Sequence, residues 1–76
     1  TSGHSLEITP IDNLSDRQLQ VFEMIGQGLA TKEIAQKLEL SHKTIEAHRE
    51  KIKSRLNLKT GTELNRHAIQ WVLENT

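Results

Sequence analysis

Between Ser41 and Lys59 the chain collects Lys43, Arg49, Lys51, Lys53, Arg55 and Lys59 against only Glu46 and Glu50. His42 and His48 lie in the same stretch. Ammonium and guanidinium groups gathered in this way neutralise phosphates and release the counterions condensed on a duplex. A carboxylate set among them can accept a hydrogen bond from an exocyclic base amine. The flanks lean the other way. Residues 1–40 hold Arg17, Lys32 and Lys37 against Glu7, Asp12, Asp16, Glu23, Glu33 and Glu39, and residues 60–76 hold Arg66 against Glu63 and Glu74. The net charge is therefore 0 and the pI 6.8. A neutral total argues against a nucleic-acid binder, but local charge sets the field that a phosphate backbone meets. Charge alone equally fits a solvated cationic helix face.

Other chemistries find less support. His42 and His48 fall on different faces of a helix, His4 and His67 lie far off in the sequence, and no Cys is present to complete a metal set. His48 reads better as a half-buried structural residue, hydrogen-bonded near an inner face. No Ser/His/Asp arrangement is needed to explain any residue, so no catalytic residue, metal or cofactor is expected. At 76 residues and 8.7 kDa the chain allows one small domain. Phe22 and Trp71 are its only aromatics, too few for a single-strand binder built on stacking platforms. The absence of Cys excludes disulfides and fits a reducing cytoplasm. No apolar run approaches the roughly 20 residues that span a bilayer, and no signal-peptide pattern is present. Thr1 in place of Met suggests a piece of something longer.

The elements that must position the basic stretch can be read in order. Residues 1–13 show no helical period and read as a linker or an appended remnant, with an extended piece at Leu6–Ile8. Residues 14–76 form the domain. Ser15 and Gln18 make a capping box for a first helix, with Leu14 and Leu19 as a hydrophobic staple. Val21, Phe22, Ile25 and Leu29 form its apolar face, and Gly26 and Gly28 end it. A second helix starts at Thr31 as cap and runs from Lys32 to about Leu38, with Ile34, Ala35 and Leu38 apolar. Two turns are unstable alone and must pack against a neighbour. Glu39 and Leu40 connect to Ser41, the cap of a third helix from His42 to Leu56. Ile45, His48, Arg49, Ile52 and Leu56 share one face of that helix. Lys43, Ala47, Glu50, Lys51 and Ser54 share the other, with Glu46 on its flank. A second capping box, Thr60 to Glu63, opens a fourth helix over 61–75. Leu64, His67, Ala68 and Trp71 make its main face, with Trp71 in the core, and Ile69 and Leu73 form a smaller second patch beside Thr62 and Arg66.

A short helix, a tight turn and a longer helix with a polar outer face describe a helix-turn-helix, whose second helix enters the major groove. The expected fold is all-α, a four-helix bundle-like domain containing that motif. At these residues the chain resembles the LuxR/NarL/FixJ/GerE-type C-terminal DNA-binding domain. The matching stretch reads LSDRQLQVFEMIGQGLATKEIAQKLELSHKTIEAHREKIKSRLNLKTGTEL, and the likeness extends from about Leu14 to Trp71. Its most specific pieces are GLATKEIA (Gly28–Ala35) and TIEAHREKI (Thr44–Ile52), followed by Leu56 and Leu58. Three positions depart from the family pattern. Gln18 stands for Glu, Glu39 for Gly and Gly61 for Arg. If the family's left-handed turn persists at Glu39, a non-Gly residue there costs about 1 kcal/mol.

The resemblance implies sequence-specific binding of double-stranded DNA and regulation of transcription, as the output domain of a two-component response regulator. It puts base reading on Glu46, Ala47 and Glu50 of the third helix, with Glu able to read cytosine and Ala a thymine methyl. Thr31, Lys32, Lys43, Lys51, Lys53, Lys59 and Thr60 are expected to contact phosphate through hydroxyls, ammonium groups and helix N-terminal N–H groups. The fourth helix implies a weak homodimer through Arg66, Ile69 and Leu73. An N-terminal receiver or sensor domain would precede this one in the full-length protein, RNA polymerase is left open as a further partner, and no membrane is involved. Two competitors remain at this point. One is a sigma-factor region 4-like domain, which would bind core polymerase. The other is a protein-interaction module in which Glu46 and Glu50 have cost the domain its DNA binding.

Overall fold

The computed structural model describes Ile11 and residues 14–75. Apart from Ile11, the 1–13 linker and its extended piece at Leu6–Ile8 lie outside the described residues, as does His4. Four helices follow one another: α1 Asp16–Gly26, α2 Thr31–Leu38, α3 His42–Arg55 and α4 Gly61–Glu74. All are α-helical and, among the described residues, there is no strand. The all-α expectation is met.

The starts of three helices follow their cap chemistry. Ser15 Oγ accepts from the Gln18 N–H at 3.2 Å, and Gln18 Oε1 accepts in return from the Ser15 N–H at 3.0 Å. Gln18 is itself buried, so this chain's departure from the family's Glu keeps the box and removes a charge from the interior. Ser41 Oγ accepts from the Thr44 N–H at 3.0 Å and lies 2.8 Å from the Thr44 hydroxyl. Thr60 Oγ1 accepts from the Glu63 N–H at 3.1 Å, but the Glu63 carboxylate reaches one residue further back than expected, to the Lys59 N–H at 2.7 Å.

The start of α2 corrects the expectation. Ala30, not Thr31, is the extended cap residue, and Thr31 is the first helical residue. Alanine has no oxygen to offer, so the terminus rests on Glu33, whose Oε1 accepts from the Ala30 N–H at 2.8 Å. Glu33 also places an acidic group in the first turn, where the helix dipole favours it.

The first three helices end alike. Gly28 (φ 92°), Glu39 (φ 57°) and Asn57 (φ 61°) adopt positive φ. The residue after each is a leucine whose N–H reaches back across the last turn: Leu29 to Met24 O, Leu40 to Ala35 O and Leu58 to Lys53 O. This is the Schellman arrangement, which satisfies carbonyls left over at a helix end. Leu29, Leu40 and Leu58 are all half-buried against the core. Glu39 thus keeps the left-handed conformation although it is not glycine. Gly26 does not end α1 in this way. It is the last helical residue, and a Cβ there would collide with the Ala68 carbonyl and a Val72 methyl of α4.

These turns fold the helices around one core. Val21, Phe22 and Ile25 of α1 meet Ile34 and Ala35 of α2, Ile45 and Ile52 of α3, Leu56 just beyond it, and Leu64 and Ala68 of α4. Ile11, Leu14 and Leu19 pack against its edge. The short α2 packs on α3 and α1, which supplies the support it lacks alone. Helix α4 packs chiefly on α1 and closes the far side. Trp71 packs against the core between α4 and α1 as expected, its ring 5.6 Å from that of Phe22, but it is half-buried and not fully enclosed. A residue at the end of the last helix has protein on one side only. His67 is exposed yet places its ring 6.1 Å from Phe22. Among the described residues, no helix is long and apolar enough to cross a membrane.

Candidate nucleic-acid interface

Helix α3 is anchored from within. Ile45 and Ile52 are fully buried and His48 and Arg49 half-buried, which turns the opposite side outward. His42, Lys43, Glu46, Ala47, Glu50, Lys51, Ser54 and Arg55 are exposed. The expected reading residues Glu46, Ala47 and Glu50 therefore stand together on the solvent face, beginning in the second turn after the Ser41 cap. Their spacing of one and four residues puts them on adjacent parts of one helical surface. Ala47 leaves a low point beside the two carboxylates, where a base edge can approach the backbone. No hydrogen bond of the His48 ring is found among the described residues; its half-buried position matches expectation, the bond does not.

An ion pair lies on this face. Lys53 Nζ is 2.8 Å from Glu50 Oε2, and the lysine side chain is only 18% exposed against 69% for the glutamate. Lys43 and Lys51 are exposed and have no ion pair among the described residues. Lys53 is thus unlike the other lysines of α3: its stem lies along the protein and its charge is already matched.

The remaining residues expected at phosphate sit at helix starts. Lys32 is exposed at the start of α2, while Thr31 is half-buried. Because Ala30 is the cap, the Thr31 hydroxyl is not the capping group that the sequence suggested. Lys59 and Thr60 are exposed ahead of α4. The Thr60 hydroxyl accepts within its own cap and keeps its proton for an outside acceptor.

Sequence reasoning missed Arg49. Its Nη2 donates to Asn65 Oδ1 on α4 at 3.4 Å and stands 3.4 Å from where a Cβ on Gly61 would lie. The space left by the small residue at 61 is used by a guanidinium from the neighbouring helix. The only available signal was the position of Arg49 at the margin of the packed face.

Arg66, Ile69 and Leu73 lie on α4. Ile69 is 43% and Leu73 68% exposed, and they are the exposed large apolar residues among those described. Arg66 lies one turn before Ile69 and lines a shallow depression of about 400 Å³ with Leu58, Glu63, His67 and Gln70. Among the described residues no group of three or more His, Cys, Asp or Glu side chains converges.

Known proteins place this arrangement. The profile of the family described as bacterial regulatory proteins, luxR family, matches residues 12–68. The chain is 44% identical over 61 residues to the oxygen regulatory protein NreC of Staphylococcus carnosus (strain TM300), covering 80% of this chain and 28% of the relative. It is 43% identical over 61 residues to proteins of the same name from Staphylococcus epidermidis (strain ATCC 12228 / FDA PCI 1200) and Staphylococcus aureus (strain JH9), again covering 80% and 28%. The chain spans little more than a quarter of the length of these relatives. With its helices, turns and exposed α3 face in this order, the chain belongs to the luxR family of bacterial regulatory proteins, a family of DNA-binding transcription regulators.

Proposed function

We propose that α3 lies in the major groove of duplex DNA and that Glu46, Ala47 and Glu50 discriminate bases there. The observation that carries this reading is the division of α3 into a buried Ile45–Ile52 side and an exposed side bearing those three residues between Lys43 and Lys51. A helix of this width fits a groove about 12 Å across. Lys43 and Lys51 flank the readers and hold phosphates, as do Thr31 and Lys32 at the start of α2 and Lys59 and Thr60 ahead of α4. These contacts position the domain and make affinity fall with salt. Glu46 and Glu50 favour cytosine by accepting from its amine, and repel a phosphate that approaches out of register.

The domain acts as the output unit of a longer cytoplasmic response regulator, with residues 14–76 as its DNA-binding part. Three supports combine: the family, the likeness to proteins named for oxygen regulation, and the 28% coverage of those relatives. A receiver domain ahead of it supplies the signal. Two copies pair through Arg66, Ile69 and Leu73 and read paired half-sites about one helical turn apart. The test is selection from a randomised duplex library at moderate salt, read by sequencing. Enrichment of a paired motif with cytosine at a discriminated position is expected. A folded domain that enriches nothing, and that fails to bind duplex even at low salt, would overturn the proposal. The two carboxylates on the outer face would then mark a surface for protein.

A further inference from the structure

The charge of Lys53 alone marks it as one more phosphate contact. Its surroundings point elsewhere. Its ammonium lies 2.8 Å from Glu50 Oε2, and its side chain is 18% exposed against 69% for Glu50. The stem is held against the protein while the carboxylate it meets stands in solvent. A lysine that is tied down and already paired is poorly placed to follow a phosphate. It is well placed to hold a carboxylate. Glu50 has several rotamers on an exposed helix face, and an unrestrained one would swing away from a negatively charged duplex. Pairing at i, i+3 removes part of that freedom and offsets part of the repulsion. It engages Oε2 and leaves Oε1 able to accept a hydrogen bond from a base amine.

We infer that Lys53 is a positioning residue for base recognition, which fixes the Glu50 carboxylate for a cytosine amine and does not serve as a phosphate anchor. This rests on the proposed reading of Glu50 as a base-contacting residue. Direct and indirect roles leave different traces. A phosphate contact contributes about 0.9 to the slope of log affinity against log salt and affects all sequences alike. A positioning residue changes the preference at one base pair and leaves the slope alone.

The experiment uses this 76-residue chain as wild type, Lys53→Met, Glu50→Gln and the double variant. Each is put through the same randomised-duplex selection and a salt titration on the selected duplex. Lys53→Met keeps the aliphatic stem and removes the charge, and circular dichroism checks that each variant is folded. We expect Lys53→Met to lower cytosine discrimination about threefold, with the salt slope unchanged. In the Glu50→Gln background the same change should have no further effect on discrimination. A slope reduced by about 0.9 with base preference intact would make Lys53 a phosphate contact and overturn the inference. Preference and slope both unchanged would overturn it too. If wild type selects a motif that Glu50→Gln leaves unaltered, the reading of Glu50 fails first and the role of Lys53 falls with it.

Discussion

Arg49 of α3 donates to Asn65 of α4 across 3.4 Å, and it does so over the position where Gly61 has no side chain. The bond joins the helix proposed to read bases to the helix that carries the exposed apolar patch. At 3.4 Å it is a weak bond, and the guanidinium has no carboxylate partner among the described residues. Arg49→Met should therefore cost about 0.5–1 kcal/mol of stability. For a domain of this size that is a fall in Tm of roughly 2–8 °C. Thermal unfolding followed by circular dichroism measures it, and an unchanged Tm would show that the contact contributes nothing to holding α3 against α4.

Glu39 carries a left-handed backbone, with φ 57° and ψ 43°, where glycine would be unstrained. The turn persists because Leu40 must reach Ala35 O and pack on the core. The side chain at 39 is exposed and adds nothing to that purpose. Relief of roughly 1–2 kcal/mol of strain is partly offset by the entropy that glycine adds to the unfolded chain, about 0.4–1 kcal/mol. Glu39→Gly should thus stabilise the fold by up to about 1.5 kcal/mol, read as a higher urea midpoint at unchanged slope. Stability that falls instead would mean the strain at this turn is smaller than the entropy term.

What could be read from residues alone follows from how local each determinant is. The box at Ser15 and the caps at Ser41 and Thr60 were legible because an oxygen-bearing residue stands three positions before its partner. The start of α2 was misplaced by one residue because Ala30 carries no capping oxygen, and Thr31 looked like the better cap. Gly26 was read as a helix end because glycine often is one. Its true reason, the approach of Ala68 and Val72, lies in another helix. The exposed face of α3 followed from periodicity. The pairing of Glu50 with Lys53 was within reach of spacing too, since Lys53 is the one basic residue three or four positions from Glu50, but its charge reads first as a phosphate contact. Arg49 and Asn65 are 16 residues apart and no local pattern joins them.

The two glycines of α1 and its turn should respond differently to the same substitution. At Gly28 a methyl group would meet nothing within 4 Å, and only the positive φ opposes it. Gly28→Ala should cost about 1 kcal/mol. At Gly26 a methyl would be driven into the α4 backbone at Ala68, which cannot swing aside as a side chain can. Gly26→Ala should cost roughly 2–3 kcal/mol, because α1 and α4 must separate to admit it. Urea unfolding of both variants gives the order. Equal losses would mean that α4 shifts on α1 at little cost.

Ile69 and Leu73 are four residues apart on α4, so they share one stripe with Arg66 a turn earlier. In a two-fold pair the same patch faces itself, so one substitution acts in both copies. Leu73 has 68% of its surface to lose on pairing, which corresponds to about 1–2 kcal/mol for each copy. Leu73→Glu removes that gain and sets two like charges near the axis. Binding to a duplex with two half-sites should weaken by about tenfold or more, since each 1.4 kcal/mol is a factor of ten. Binding to a duplex with one half-site should barely change, because α3 and the residues proposed to contact phosphate are untouched. Titrations of both duplexes at one salt concentration separate the cases. A loss on the paired site alone would place the pairing surface at this patch. Equal losses on both would mean that the substitution acts through folding or direct DNA contact, and that two copies meet elsewhere.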